Sequence, residues 1–204
     1  MLIKILYVIL AYLCGSIPFA YIIAKVVGKI DIREFGSGNS GATNIFRALG
    51  KGPAILTFIA DTLKGFVPVY FAKFIDERSF YILIVATGMI IGHIFTVFLK
   101  FKGGKGIAVG GGALLAFMPP IGSLIIYLIF VLVFVSSGYV SLGSICAALI
   151  FPLVSYFLGY TELKCVIFTF IIALLIVYAH RTNIKRLKEG CENRFEIFKK
   201  KKSR

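Results

Sequence analysis

Long apolar runs recur along the whole chain and are separated by short polar segments. A helix needs about 20 apolar residues to cross a bilayer, or somewhat fewer where neighbouring helices support it. The fourth run stops at Pro119 and is long enough only if it includes the glycines before it. The pattern predicts an all-α membrane protein with seven transmembrane helices, of which the fourth ends before Pro119 and the other six lie at residues 2–24, 53–74, 79–99, 121–136, 139–159 and 163–179. We expect residues 1–204 to form a single integral membrane domain.

The basic residues between these runs predict the orientation, because Lys and Arg are enriched on the cytoplasmic side of membrane proteins. If the N-terminus lies outside, the basic segments that begin at Lys25, Lys100 and Arg181 all face the cytoplasm. We therefore expect an outside N-terminus, a cytoplasmic C-terminus and a basic cytoplasmic tail at residues 193–204.

Composition supports the same class of protein, since 59% of the 204 residues are hydrophobic and only 16% are charged. The net charge of +14 would suit nucleic acid, but the basic residues flank the apolar runs, where they meet lipid head groups or anionic substrates. We expect membrane lipids as partners and no nucleic acid. The four cysteines lack metal-ligand spacing, and we expect neither a metal nor a cofactor.

Residues 36–52, GSGNSGATNIFRALGKG, form a glycine-rich polar segment in this apolar chain. Glycine N–H groups can surround an anion, and the Arg47 guanidinium can bind two oxygens of a phosphate. Residues 36–41 also match the G-x-G-x-x-G dinucleotide pattern, which requires a strand, a turn and a helix, whereas a membrane helix follows here. The segment predicts half of a phosphate site. Its candidate binding residues besides Arg47 are Gly36, Ser37, Gly38 and Asn39.

Two further polar segments fall on the same predicted side of the membrane. KGGKG at 102–106 offers backbone donors and an ammonium group ahead of a short helix, which suits a phosphate. The alternative interpretation of this segment is a positively charged cytoplasmic loop that binds no ligand. After the seventh run, His180 and Asn183 share a helix face at i, i+3, and imidazole can act as a base or bind an oxyanion. The alternative there is a helix end at the lipid interface. The candidate binding residues of the second segment are Gly103, Gly104, Lys105 and Gly106.

Other polar residues have more structural interpretations. Asp61 and Lys64, at i, i+3 inside a span, are expected to pair or to line a wet cavity. We expect His93 to be a packed hydrogen-bonding residue and Glu192 a counter-charge to nearby arginines. Two further residues, Ser141 and Lys185, are candidates for substrate binding.

The sequence lacks the signatures of covalent catalysis. There is no G-x-S-x-G motif, no cysteine beside a histidine, and no His-x-x-x-x-Asp spacing after either histidine. An enzyme with this sequence is therefore expected to work without a covalent intermediate. A transporter of phosphorylated small molecules remains an alternative, although no inverted repeat is visible.

Three blocks taken in order, at 36–52, 92–106 and 180–192, resemble the PlsY family, the acyl-phosphate-dependent glycerol-3-phosphate acyltransferases of bacteria. DTLKG at 61–65 and YVSLGS at 139–144 add to the resemblance, while Ser40 and Thr96 stand where the family commonly has proline. The resemblance implies a multi-pass protein of the bacterial cytoplasmic (inner) membrane with its active site on the cytoplasmic side. We expect it to be a monomer.

The resemblance also implies the reaction and its residues. A fatty acyl group would pass from acyl phosphate to the sn-1 hydroxyl of glycerol 3-phosphate, giving lysophosphatidic acid and phosphate. Glu192 would maintain structure, and the 103–106 loop would bind the acceptor phosphate. Two groups are candidates for the general base that takes the hydroxyl proton: His180 and an oxygen of a substrate phosphate. The phosphate oxygen is favoured. The implied catalytic residues are Ser37, Arg47, His180 and Asn183.

Overall fold

The computed structural model describes residues 1–195, so residues 196–204 of the predicted basic tail lie outside the described part. The described chain is helical, with two short 3₁₀ turns at Ile32–Glu34 and Val97–Leu99. Its α-helices are α1 (Leu2–Ser16), α2 (Phe19–Gly28), α3 (Ala42–Leu49), α4 (Lys51–Ala72), α5 (Ser79–Ile94), α6 (Ile107–Phe117), α7 (Pro120–Ser137), α8 (Val140–Phe157), α9 (Leu163–Ala179) and α10 (Arg181–Lys188). The predicted all-α class is confirmed.

Five helical segments are long and apolar enough to cross a membrane. They are Leu2–Gly28, Lys51–Ala72, Ser79–Leu99, Pro120–Ser137 and Val140–Phe157. A sixth is present if α9 and α10, which meet at a bend of 58°, are taken as one span. Helix α6 has 11 residues and rises about 16 Å, roughly half the thickness of the hydrocarbon core. The predicted seventh crossing therefore depends on this short helix.

The helices run between two ends of one bundle. At one end, Lys4 Nζ contacts Asp76 Oδ2 at 2.6 Å, which joins the start of α1 to the link between α4 and α5. At the other end, the Phe195 N–H donates to the Gly138 carbonyl at 2.8 Å, which joins the end of the described chain to the link between α7 and α8. We call the first the far end and the second the site end. The two ends of the described chain thus lie on opposite ends of the bundle.

Glycines allow α4 and α6 to pack with their backbones in contact. A Cβ added to Gly65 would lie 2.1 Å from the Val109 carbonyl oxygen, and one added to Gly112 would lie 2.0 Å from that of Thr62. No side chain fits at either position without separating the helices. Small residues serve the same purpose at many membrane helix interfaces. This packing holds the start of α6 rigidly against α4.

Asp61 and Lys64 form a buried ion pair inside the bundle. Lys64 Nζ lies 2.8 Å from Asp61 Oδ1, and both side chains are 3% exposed. Lys64 also donates to the Ile17 carbonyl at 2.6 Å, at the break between α1 and α2 where Pro18 interrupts the helix. Buried charges need such partners because an isolated charge is costly inside a membrane. The pair therefore fastens α4 to this break.

A candidate anion site at the site end of the bundle

The loop at 36–41 is held by one buried side chain, Asn44 of α3. Its Oδ1 accepts the Ser37 N–H at 3.1 Å, and its Nδ2 donates to the carbonyls of Ile32 at 3.1 Å and Phe35 at 2.9 Å. Asn44 is only 1% exposed. A buried amide with both ends bonded fixes the backbone around it. The loop that carries Ser37 is consequently preformed. The sequence analysis did not single out Asn44, although it lies within the glycine-rich block.

Replacing Asn44 with Asp tests this role. The substitution keeps the side-chain shape and the acceptor, but it removes the two donated hydrogen bonds and adds a buried negative charge. We expect the dissociation constant for inorganic phosphate, measured by isothermal titration calorimetry, to rise about tenfold or more, since each lost bond is worth about 1 kcal/mol. Asn193→Asp, at an exposed position of the same end, adds the same charge and is the control. Equal affinity in both variants would contradict the role of Asn44.

The 103–106 loop folds back onto the end of α5 and touches the first loop. The N–H groups of Gly103 and Gly104 donate to the carbonyls of Ile94 at 2.9 Å and His93 at 3.0 Å. A Cβ at Gly104 would lie 2.8 Å from the Ser40 carbonyl oxygen and 2.2 Å from His93 Nε2. Only glycine therefore allows the two loops and the His93 ring to meet. The buried His93 packs beneath the loop, in the place the sequence predicted for a structural residue.

The third segment is organised by Glu192. Its Oε1 accepts hydrogen bonds from Ser141 Oγ at 2.9 Å and Asn183 Nδ2 at 2.7 Å, and its Oε2 accepts from Arg186 Nε at 2.7 Å. Although burial opposes the shift, these hydrogen bonds lower the pKa of Glu192. The carboxylate is thus a charged anchor that ties α8 to α10. Because the Ser141 hydroxyl donates to this carboxylate, Ser141 helps to tie α8 to α10.

His180 and Asn183 are both buried beside this anchor, at the 58° bend between α9 and α10. His180 Nδ1 lies 2.8 Å from the Ile176 carbonyl, which can only accept, so the proton is on Nδ1 and the lone pair on Nε2. Asn183 uses its NH₂ group on Glu192, and its Oδ1 has no hydrogen-bond partner within residues 1–195. Each residue therefore has one acceptor atom that is not used by these hydrogen bonds.

The positive charges of the three segments lie close enough to repel one another. Burial lowers the pKa of Lys105 to about 8, and the positive charges of Arg186 and Arg47 add to this effect against the opposing charge of Glu192. Mutual repulsion between cations is relieved when an anion binds among them. The structure thus brings together the three segments that the sequence placed on one side.

Two basic residues of α10 differ from the expectation. Arg186, which was not among the candidate site residues, lies with Glu192 in the cluster. The side chain of Lys185 is 76% exposed and lies 3.8 Å from Glu189, so it is outside the cluster. The helix period distinguishes the two, because Arg186 shares a face of α10 with Asn183 at i, i+3, whereas Lys185 lies only two residues from Asn183.

An apolar slot opens beside the cationic cluster. It has a volume of about 270 Å³ and lies among α4, α5, α6, α7, α8 and α9. Ile107, the first residue of α6, lines it directly after the glycine loop, and Phe58 and Val131 line it while remaining exposed on the outer surface of the bundle. The slot therefore connects the site with the lipid-facing surface.

A cationic, glycine-lined corner with an adjoining apolar slot defines a membrane protein whose ligand has an anionic head and an apolar chain. Comparison with known proteins agrees. Residues 5–190 match the family described as glycerol-3-phosphate acyltransferase. A relative of that name from Endomicrobium trichonymphae is 63% identical and covers 98% of this chain and all of its own length. One from Geobacter metallireducens is 48% identical, covering 96% of this chain and 100% of its own.

Solved structures show the same fold. The crystal structure of PlsY, an integral membrane glycerol 3-phosphate acyltransferase, in its glycerol 3-phosphate form has a TM-score of 0.89 at 41% identity, covering 94% of this chain and 95% of that one. Its lysophosphatidic acid form has a TM-score of 0.86 at 40% identity and the same coverage. The chain belongs to the glycerol-3-phosphate acyltransferase family and is an integral membrane protein.

Proposed function

We propose that this protein transfers a fatty acyl group from acyl phosphate to the sn-1 hydroxyl of glycerol 3-phosphate, as a step of phospholipid synthesis. The observation that carries the proposal is the junction at Gly106 and Ile107, where the cationic loop passes directly into the wall of the apolar slot. A product with a phosphate head and one acyl chain requires both environments side by side. Relatives solved with glycerol 3-phosphate and with lysophosphatidic acid support this acceptor and this product.

The acceptor is held by its phosphate at Lys105, the 103–106 loop and Arg186. Ammonium and guanidinium groups are the usual partners of a phosphate dianion. Asn183 Oδ1 and His180 Nε2, the free acceptors of the third segment, then hydrogen-bond the glycerol hydroxyls. Because these residues lie on rigid elements, they orient the sn-1 hydroxyl towards the slot.

The donor places its acyl chain in the slot and its phosphate near Ser37 and Arg47. The sn-1 oxygen attacks the acyl carbonyl carbon, a new ester C–O bond forms, and the C–O bond to the phosphate breaks. The phosphate leaves with the electron pair of that bond. Arg47 offsets the charge that develops on the leaving group, and the Ser37 hydroxyl hydrogen-bonds the carbonyl or the phosphate.

The hydroxyl proton passes to a phosphate oxygen or to His180 Nε2. A neutral backbone carbonyl, and not a carboxylate, orients the His180 ring. A carboxylate partner would raise the basicity of the ring, whereas a carbonyl mainly fixes its tautomer. This contact favours a substrate phosphate as the base, with His180 and Asn183 in positioning roles.

We propose seven crossings for the chain, with α6 as the short one, an outside N-terminus and a cytoplasmic site end. The opposite placement of the two chain ends supports an odd number of crossings. The basic residues around the site end support its cytoplasmic position in the bacterial inner membrane. We propose that the protein acts as a monomer, because one chain supplies every residue of the site described above.

The proposal is tested with protein reconstituted in liposomes and given acyl phosphate, acyl-CoA or acyl-acyl carrier protein with labelled glycerol 3-phosphate. We expect labelled lysophosphatidic acid and free phosphate with acyl phosphate alone. Product from a thioester donor and none from acyl phosphate would overturn the donor assignment. Uptake of glycerol 3-phosphate without product would instead identify a transporter.

A further inference from the structure

The apolar slot extends to the far end of the bundle, where Phe117 lines it. Along α6 its wall runs from Ile107 to Phe117, a length of about 15 Å at the rise of an α-helix. Ile126 of α7 and Phe151 of α8, both buried, complete the wall around Phe117. The slot therefore has a bottom formed by large side chains, and this bottom lies opposite the cationic cluster.

A second cavity begins directly behind Phe117. It has a volume of about 470 Å³, lies at the far end, and is lined by Lys73, Glu77 and Ser79 as well as by Phe117 and Tyr160. The Phe117 and Tyr160 rings are in contact, with centroids 4.6 Å apart. Phe117 thus stands between an apolar slot and a partly polar recess, and Tyr160 supports it from the recess side.

We infer that Phe117, backed by Tyr160, sets the longest acyl chain that the slot accepts. The inference rests on the proposed function, which places the acyl chain in the slot. A chain that reaches Phe117 must stop, bend or displace the ring, because buried side chains are closely packed. No function has been assigned above to Phe117, Tyr160 or the recess, and none of them touches the reacting groups.

The selection by Phe117 is steric. The donor chain comes from lipid, which is as apolar as the slot, so each additional methylene gains little free energy by entering. Forcing extra methylenes into a closed core costs enough to change a rate about tenfold. The slot is therefore expected to reject chains above a length limit without strongly favouring the longest chain below it.

The test is a competition among dodecanoyl, tetradecanoyl, hexadecanoyl, octadecanoyl and eicosanoyl phosphate, with the lysophosphatidic acids measured by mass spectrometry. Phe117→Ala opens the bottom of the slot into the recess. We expect the ratio of longer to shorter products to rise about tenfold. Tyr160→Ala, which removes only the support, is expected to give a smaller shift in the same direction.

Ala147→Leu tests the opposite change without altering Phe117. Ala147 lines the slot on α8 and is partly exposed there, so leucine narrows the cavity, and we expect the product ratio to move towards shorter chains. Phe170→Ala is the matched control, because Phe170 is 55% exposed on α9 and does not line the slot. We expect it to keep the wild-type ratio.

The outcomes of these experiments distinguish the role of Phe117 from the proposed acyl-transfer function. Wild-type product ratios in active Phe117→Ala and Ala147→Leu proteins would overturn the inference and leave the proposed function standing. If Phe117→Ala does not fold, as judged by size exclusion and thermal unfolding, a wild-type ratio in Ala147→Leu and Tyr160→Ala overturns it. No product from acyl phosphate with the wild-type protein would overturn the proposed function itself.

Discussion

Lys105→Ala is expected to lower kcat/KM for glycerol 3-phosphate by about a hundredfold to a thousandfold. Lys105 is half-buried in a loop whose backbone is fixed by the carbonyls of His93 and Ile94, so its ammonium group is held at the site. A charge-assisted hydrogen bond to a phosphate is roughly twice as strong as a neutral one. Initial-rate measurements over a range of acceptor concentrations, at a fixed donor concentration, give this value.

The same residue predicts the pH dependence of kcat/KM. Since the pKa of Lys105 is about 8 in the unliganded protein, the ammonium form is present below that pH and is lost as the pH rises through it. The substrate phosphate is a dianion only above about pH 6. We expect kcat/KM to be highest between these values and to fall about tenfold per pH unit on the alkaline side, because this parameter reports the free enzyme.

Two variants serve as controls for Lys105. Lys102→Ala removes an equal charge from an exposed position of the same loop, and we expect it to change kcat/KM little. Lys105→Arg keeps a positive charge at all accessible pH values, so its alkaline decline should disappear even if its activity is lower. An alkaline decline of wild-type size in Lys105→Ala would show that another group causes it.

The sequence was sufficient to predict most of the helices, because a membrane forces each span into one long apolar run. It also placed the short helix before Pro119. The bend of 58° at His180 could not be foreseen, since the apolar run and the basic segment read as one continuing helix. That bend decides which side chains of α10 enter the site.

The three polar segments lie together at one end of the bundle, and the sequence could indicate this because charge distribution and glycine content are visible in it. The individual contacts within these segments were not predicted. Asn44 holds the first loop through three backbone groups, and Ser141 bonds the Glu192 carboxylate across 51 positions. The slot could not be predicted from the sequence, because its walls come from six helices whose packing no local pattern specifies.

His180→Ala is expected to raise the KM for glycerol 3-phosphate about 10- to 100-fold, with a much smaller effect on kcat. The imidazole donates Nδ1–H to the Ile176 carbonyl, which leaves Nε2 as a hydrogen-bond partner for the acceptor. If a substrate phosphate takes the hydroxyl proton, removing the ring weakens binding and orientation but keeps the base. The KM for acyl phosphate should therefore change little.

His180→Gln is the informative companion variant, because its amide can hydrogen-bond the acceptor but cannot accept a proton near neutral pH. We expect it to recover a large part of the lost affinity for glycerol 3-phosphate. A collapsed kcat with an unchanged KM in both variants would reverse this assignment and make His180 the general base. Since the ring is buried beside Asn183, parallel thermal unfolding must show that each variant keeps the bend between α9 and α10 folded.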